Sequence, residues 1–175
     1  PDSTSRVEGG LTLPLLVWRC AEPLLAISSA PLGGGIGRRH WVVNATVPMS
    51  YRRDDPDAHL ADLARGLDLA GAGVGLLTGV DVTEVVARTD GGVRVWATVG
   101  LGAPIWAADP APPGQRPATV TPGTINIVAY VPARLGDAAL VNAVATVTEA
   151  KAQAIRELGL AATGTATDAV VVLCP

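Results

Sequence analysis

Residues 123–173 constrain the fold more than any other stretch, because an alternating apolar run, a long helical period and a second apolar run follow one another there with clear stops between them. Ile125, Ile127, Ala129 and Val131 alternate with Thr124, Asn126, Val128 and Tyr130. That period of two predicts a strand with one more polar face, on which Thr124 and Asn126 stand together. Pro132 ends the strand, and Gly136-Asp137 supplies a turn and an N-cap for a helix over 137–158, closed by Gly159. At about 100° per residue, Leu140, Val144, Val147, Lys151, Ile155 and Leu158 fall on one stripe, with Asn142, Glu149, Gln153 and Arg156 opposite. Residues 169–173 are an apolar run suited to a buried strand.

Three polar features of this stretch each admit two readings. Lys151 interrupts the apolar stripe, so either its stem packs there with the ammonium reaching water, or it is a lysine held at a site. Glu149 sits with Gln153 and Arg156, as a member of a solvated face would, or else carries chemistry. Residues 163–168 form a small, polar, Gly-containing segment. It is either a turn capped by Asp168 or a loop that sets hydroxyls, amides and one carboxylate around a ligand.

The first half of the chain repeats this order. Residues 41–47 alternate, with Asn44 beside Val42 and Thr46. A helix is expected over 57–70, striped by Leu60, Leu63, Ala64 and Leu67, with His59 off the stripe and exposed. A strand over 74–80 follows, ending at Asp81. Two readings are open: two related strand-helix-strand halves packed about a pseudo-twofold axis with Asn44 and Asn126 lining one cleft, or a chance likeness between two small-residue segments. Thr89-Asp90-Gly91-Gly92 marks a hairpin that pairs residues 93–99 antiparallel with the preceding strand.

Elsewhere, residues 1–10 read as a frayed tail. Residues 11–19 and 24–28 read as two strands broken at Glu22-Pro23, and the proline-rich residues 101–122 as a long surface loop. Gly33-Gly34-Gly35 lacks the spacing of a phosphate cradle or a dinucleotide fingerprint. Its glycines serve either a tight loop or close approach of backbone N–H groups to a bulky ligand. The expected fold is one α+β domain over 1–175, with a mixed, mainly antiparallel sheet and two main helices.

Composition removes several function classes. Thirteen Lys and Arg against sixteen Asp and Glu give a net charge of -3, with no basic stripe for nucleic acid. Two cysteines and two histidines, without ligand spacing, predict neither a disulfide framework nor a metal site, and no cofactor motif is present. No stretch approaches the roughly 20 apolar residues of a membrane span, and residues 1–10 lack a secretory leader's apolar core. A cytoplasmic protein is expected. With no Phe, the core must be built from Ala, Val, Leu and Ile around four tryptophans, Trp18, Trp41, Trp96 and Trp106.

Several motifs together resemble the adenosylcobinamide amidohydrolases of corrinoid salvage: Gly123-Thr-Ile-Asn-Ile, Thr148-Glu-Ala-Lys151 and Ala162-Thr-Gly-Thr-Ala-Thr-Asp-Ala169, with Ser28-Ser-Ala-Pro-Leu-Gly-Gly-Gly-Ile36 and Asn44 near the N-terminus. Gly75-Leu-Leu-Thr-Gly79 and Ala97-Thr-Val-Gly100 fall where that family has similar segments, whereas residues 101–108 match it less well. The resemblance implies cleavage of the amide between the aminopropanol arm and the corrin ring, releasing adenosylcobyric acid. Such a reaction must activate water, stabilise an oxyanion and protonate the departing amine.

The chain has neither a Gly-x-Ser-x-Gly elbow nor a His-Glu-x-x-His pair. On this resemblance Glu149 is expected as general base, Asp168 as the alternative or orienting carboxylate, and Lys151 as oxyanion stabiliser or acid. Ser28, Gly34, Gly35, Asn44, Asn126, Thr165 and Thr167 are expected to bind the corrinoid, with no metal. Helical phase sets Glu149 and Lys151 on different faces, so a neighbouring copy in a homo-oligomer, or the other half, would have to cover one of them. The alternative is a non-catalytic corrinoid-binding or regulatory domain.

Overall fold

The computed structural model describes residues 1–108 and 123–175. Among them, eight strands form one mixed sheet: β1 (Asp2–Glu8), β2 (Leu11–Ser28), β3 (Gly35–Thr46), β4 (Gly73–Thr78), β5 (Val86–Asp90), β6 (Val93–Val99), β7 (Ile125–Tyr130) and β8 (Ala169–Cys174). Two helices, α1 (Pro56–Gly66) and α2 (Asp137–Glu157), connect β3 to β4 and β7 to β8. The strand order is β4-β3-β2-β8-β7-β6-β5, with β1 beside β2. Only β3/β4 and β7/β8 pair parallel, because only those neighbours are joined by a helical crossover; the other pairings are antiparallel. The expected α+β class, mixed sheet and two strand-helix-strand units are all present.

β2 organises the sheet. Between Arg19, opposite Trp41, and Leu24, opposite Arg39, the register shifts. Pro23, which lacks a ladder donor, falls within this bulge, so the expected break becomes a corner in one continuous strand. Before the corner β2 pairs with β1, and after it the partner is β8. The sheet thereby folds over on itself. Leu16, Trp18, Val42, Val74 and Leu76 of one wing share a buried cluster with Val128, Val171 and Leu173 of the other. Trp18 and Trp96 meet edge to face there, with centroids 5.8 Å apart. The helices cover the outer faces: α1 packs on Leu15, Val17, Trp41 and Val43, and α2 on Ala129, Val170 and Val172.

Residues 1–10, expected as a tail, form β1 and a tight turn. Gly9 and Gly10 both take positive φ, 57° and 78°, as a two-residue hairpin needs, and Glu8 closes it opposite Leu11. At the other hairpin Gly91 and Gly92 do the same, as expected. α1 stops before residue 70 because Asp68 turns left-handed at φ 52°, and Leu69 N–H returns to Ala64 O at 3.0 Å. α2 ends in the same way, with Gly159 at φ 78° and Leu160 N–H on Ile155 O at 3.2 Å. Part of the expected 101–122 loop, residues 109–122, lies outside the described residues.

Gly73 lies opposite Trp41 in the β3/β4 ladder, where a Cβ would fall inside the indole ring. Gly73→Ala should therefore destabilise the protein by ~1–3 kcal/mol through overpacking. Gly66→Ala, in a helical position with open space around it, should be neutral or stabilise by up to ~1 kcal/mol. Urea unfolding of both variants checks the contrast.

Candidate functional site

Where the two wings approach, a cavity of ≈ 500 Å³ opens at the C-terminal ends of β3 and β4 and the N-terminal ends of β7 and β8. Strand ends in parallel units are a natural place for a site, since the chain leaves the sheet there into loops whose polar groups are free to face a ligand. Thr78, Thr124, Asn126 and Thr167 supply much of its polar wall, and the 47–55 loop closes one side with Tyr51, Arg52 and Arg53.

Asn126 joins the halves. Its Nδ2 donates to Asn44 Oδ1 at 2.9 Å and to Leu77 O at 2.9 Å, while Asn44 Nδ2 donates to Thr98 Oγ1 at 3.0 Å. The two amides thus meet directly, but only Asn126 reaches the cavity wall, with Asn44 buried behind it. Both donor hydrogens of Asn126 are engaged within the protein, which leaves Oδ1 turned the other way. That oxygen has no hydrogen-bond partner although the residue is 1% exposed. A buried amide oxygen without a donor costs about 1–3 kcal/mol, and a ligand N–H or O–H would recover it.

Asp168 fixes the segment before β8. Its Oδ2 accepts from Lys151 Nζ at 2.5 Å and from Thr165 N–H at 3.0 Å. Its Oδ1 accepts from Thr165 Oγ1 at 2.5 Å and from Ile125 N–H at 3.0 Å. Burial pushes this carboxyl up, but the Lys151 ammonium and the Thr165 and Ile125 donors outweigh it and hold it below the usual carboxylate range. Lys151 is therefore paired inside the fold and does not extend to water from the apolar stripe, and the segment that Asp168 organises is tied to both α2 and β7. A Cβ on Gly164 would collide with both members of the ion pair, which is why that position is glycine. Thr167 is then set on the cavity wall, its hydroxyl 2.7 Å from that of Thr124 and 3.3 Å from Gly123 O. The Thr165 hydroxyl is engaged by Asp168 and does not line the cavity.

The remaining expected residues lie elsewhere. Glu149 is exposed on α2, on the face opposite the buried Leu140, with no hydrogen bond or ion pair among the described residues. Ser28 is buried and its Oγ accepts Ala30 N–H at 3.0 Å, while its neighbour Ser29 lines the cavity. Gly34 and Gly35 belong to a tight turn in which a Cβ on Gly34 would lie 2.7 Å from Ala30 O and Gly35 has φ 81°; neither lines the cavity. Of the alternatives open for that loop, the geometry shows a tight turn. Among the described residues, no three His, Cys, Asp or Glu side chains gather, and no helix is long and apolar enough to cross a membrane.

His59 departs from expectation: it is 4% exposed, not on the surface. β1 folds over α1 and brings Glu8 Oε2 to 3.3 Å from its Nε2, while Tyr51 Oη stands 3.1 Å from its Nδ1. Tyr51, Ser29 and Thr124 are thus cavity residues that the sequence did not single out as a site. The alternation that grouped Thr124 with Asn126 was a usable signal, whereas nothing local marked Tyr51.

Because the folded pKa of Asp168 lies below its unfolded value of about 3.9, its network contributes fully above that pH and is lost as pH falls through the folded pKa. Asp168→Asn should cost ~3 kcal/mol at neutral pH by stranding Lys151. The gap to wild type should narrow below about pH 4. Urea melts between pH 7 and about 3 check both the size and the sign.

Comparison with known proteins adds a family. The family model described as adenosylcobinamide amidohydrolase matches residues 2–175. A protein of that name from Methanosarcina mazei is 32% identical over 144 residues, covering 82% of this chain and 66% of its own length. Another from Halobacterium salinarum is 39% identical over 170 residues, covering 90% of this chain and 70% of its own. The chain thus spans about two thirds of the length of these relatives. No solved structure matches it. The chain belongs to the adenosylcobinamide amidohydrolase family.

Proposed function

We propose that this protein hydrolyses the amide joining the aminopropanol arm of adenosylcobinamide to the corrin ring, giving adenosylcobyric acid and free aminopropanol. Membership of the family motivates the reaction, and Asn126, a cavity-wall residue whose buried Oδ1 has no hydrogen-bond partner, carries the assignment of the site. A secondary amide presents an N–H that this oxygen is suited to accept. Accepting it fixes the scissile group in place, and orientation of the reacting groups is a large part of amide hydrolysis.

A volume of ≈ 500 Å³ suits a group of modest size, not a corrin macrocycle with all its arms. The aminopropanol-bearing arm therefore enters, and the ring lies across the mouth. Thr124 and Thr167 offer hydroxyls that can donate to the carbonyl oxygen as it becomes an oxyanion. Lys151 and Asp168, expected from the sequence to touch the reaction, act here one step back, holding the segment that presents Thr167. Asn44 likewise supports Asn126 from behind. The acidic, cysteine-poor composition fits a cytoplasmic enzyme whose partner is a corrinoid and not a nucleic acid.

Incubation with adenosylcobinamide, followed by mass spectrometry for cobyric acid and aminopropanol, tests the reaction; binding without release would leave a corrinoid-binding domain in its place. Asn126→Ala should lower kcat/KM about 10- to 100-fold, the size expected for one hydrogen bond lost at the reacting group. Glu149→Gln, on the solvent face of α2, should stay within about twofold of wild type. A large loss in the glutamine variant with an unchanged melting temperature would restore Glu149 as the general base.

A further inference from the structure

The 47–55 loop delivers Tyr51 to the cavity wall. Behind it stands a continuous line of contacts. Tyr51 stacks on His59, with centroids 5.5 Å apart and planes 21° from parallel, and its hydroxyl lies 3.1 Å from His59 Nδ1. His59 Nε2 lies 3.3 Å from Glu8 Oε2, and the same oxygen accepts Arg6 Nε at 2.9 Å. Arg6 Nη2 is anchored on Thr46 O at 2.9 Å. The line thus begins on β1, passes through α1 and ends in the cavity.

The direction of its hydrogen bonds follows from the inventory of donors. A carboxylate only accepts, so the hydrogen on the neutral imidazole belongs on Nε2, facing Glu8. Nδ1 is then an acceptor, and the Tyr51 O–H must donate to it. The lone pairs of the phenol oxygen remain for a group in the cavity. Burial is the largest influence on His59 and pushes its pKa down, Arg53 and Arg6 push the same way, and Glu8 opposes them. Burial, with Asp55 and Glu8, outweighs Arg53 and Arg6 and pushes the Tyr51 hydroxyl up. At neutral pH both groups are uncharged, a phenol paired to a free imidazole nitrogen.

We propose that Tyr51 is a catalytic residue that moves the proton at the scissile amide, with His59 and Glu8 as positioning residues behind it. The proposal rests on the hydrolytic reading given above. Water attacks the carbonyl carbon and gives its proton to the Tyr51 oxygen as the phenol proton passes to His59 Nδ1. The resulting imidazolium is held by the Glu8 carboxylate. When the tetrahedral intermediate collapses, the proton returns from Nδ1 to the phenol oxygen and the phenol's other proton goes to the departing nitrogen. The C–N bond breaks, leaving the carboxylic acid and the amine with every residue in its starting state. A base oriented by a third group is the arrangement that activates hydroxyls in unrelated hydrolases.

The test is steady-state kinetics of the full chain on adenosylcobinamide across pH, beside thermal melting. Tyr51→Phe keeps the stacked ring and should lower kcat about a hundredfold or more, with KM and melting temperature little changed. Glu8→Gln removes the charge that favours imidazolium, so His59 titrates lower and the acid limb of kcat/KM should move to lower pH. A purely structural contact would not move that limb. Wild-type kcat in Tyr51→Phe, or an acid limb that stays put in Glu8→Gln, would overturn the relay. Absence of turnover by the wild type would instead overturn the hydrolytic reading itself, so the two failures are told apart.

Discussion

One strand has to turn a corner for this fold to exist. β2 leaves one wing and enters the other through a bulge at residues 20–23, and everything that meets across the core depends on that bend. In a flat sheet, β3 and β7 would be separated by β2 and β8, far too distant for Asn44 and Asn126 to touch. Folded over, they share a hydrogen bond of 2.9 Å. The same bend sets β4 against the start of β7, where Leu77 O takes the second Asn126 hydrogen. With both donors used inside the fold, the amide oxygen of Asn126, a residue of the cavity wall, is left buried without a donor. The cavity's chemistry is a by-product of how two sheet wings satisfy each other's polar groups.

What could be read in the sequence was local. Alternation located β3 and β7, the Gly91-Gly92 turn paired β5 with β6, and Gly159 ended α2, because each depends on neighbours within a few residues. β1 escaped because its residues are polar on both faces, and the only local sign of it was the Gly9-Gly10 pair. Missing β1 also meant missing the burial of His59, since helical phase alone cannot know that Glu8 and Arg6 will fold over that side of α1. Pro23 was read as a stop when it is the corner of a continuous strand, a distinction set by which partners lie on either side. The candidate site shows the same division. Asn126 and Thr167 were visible as polar groups at strand ends, but which hydroxyls of residues 163–168 face the cavity is decided by Asp168 and Lys151, whose meeting is tertiary.

The buried charges separate into those that hold and those that are free to act. The Asp168 carboxylate receives four hydrogen bonds over its two oxygens, one of them from an ammonium. Such a network rigidifies what it touches, and its members are costly to remove singly. It ties α2, the segment before β8 and the start of β7 into one unit, and the short distance between the Thr124 and Thr167 hydroxyls is a consequence.

That saturation also bears on where a proton can go. A general base works best with a pKa near the working pH and a lone pair directed at the proton it takes. Asp168 has neither, since its environment pushes its pKa down and its lone pairs are occupied, so protonating it would first require breaking the contacts that build the site. Glu149 has free lone pairs but lies on the solvent face of α2 and does not line the cavity. The neutral pair of Tyr51 and His59 meets the second requirement, since its phenol lone pairs are free and Tyr51 is a residue of the cavity wall. Its imidazole is kept uncharged by burial, its charged form is supported by Glu8, and its phenol already lies on the cavity wall. Among the described residues no Asp or Glu lines the cavity, so proton movement through Tyr51 and His59 leaves the contacts of Asp168 intact.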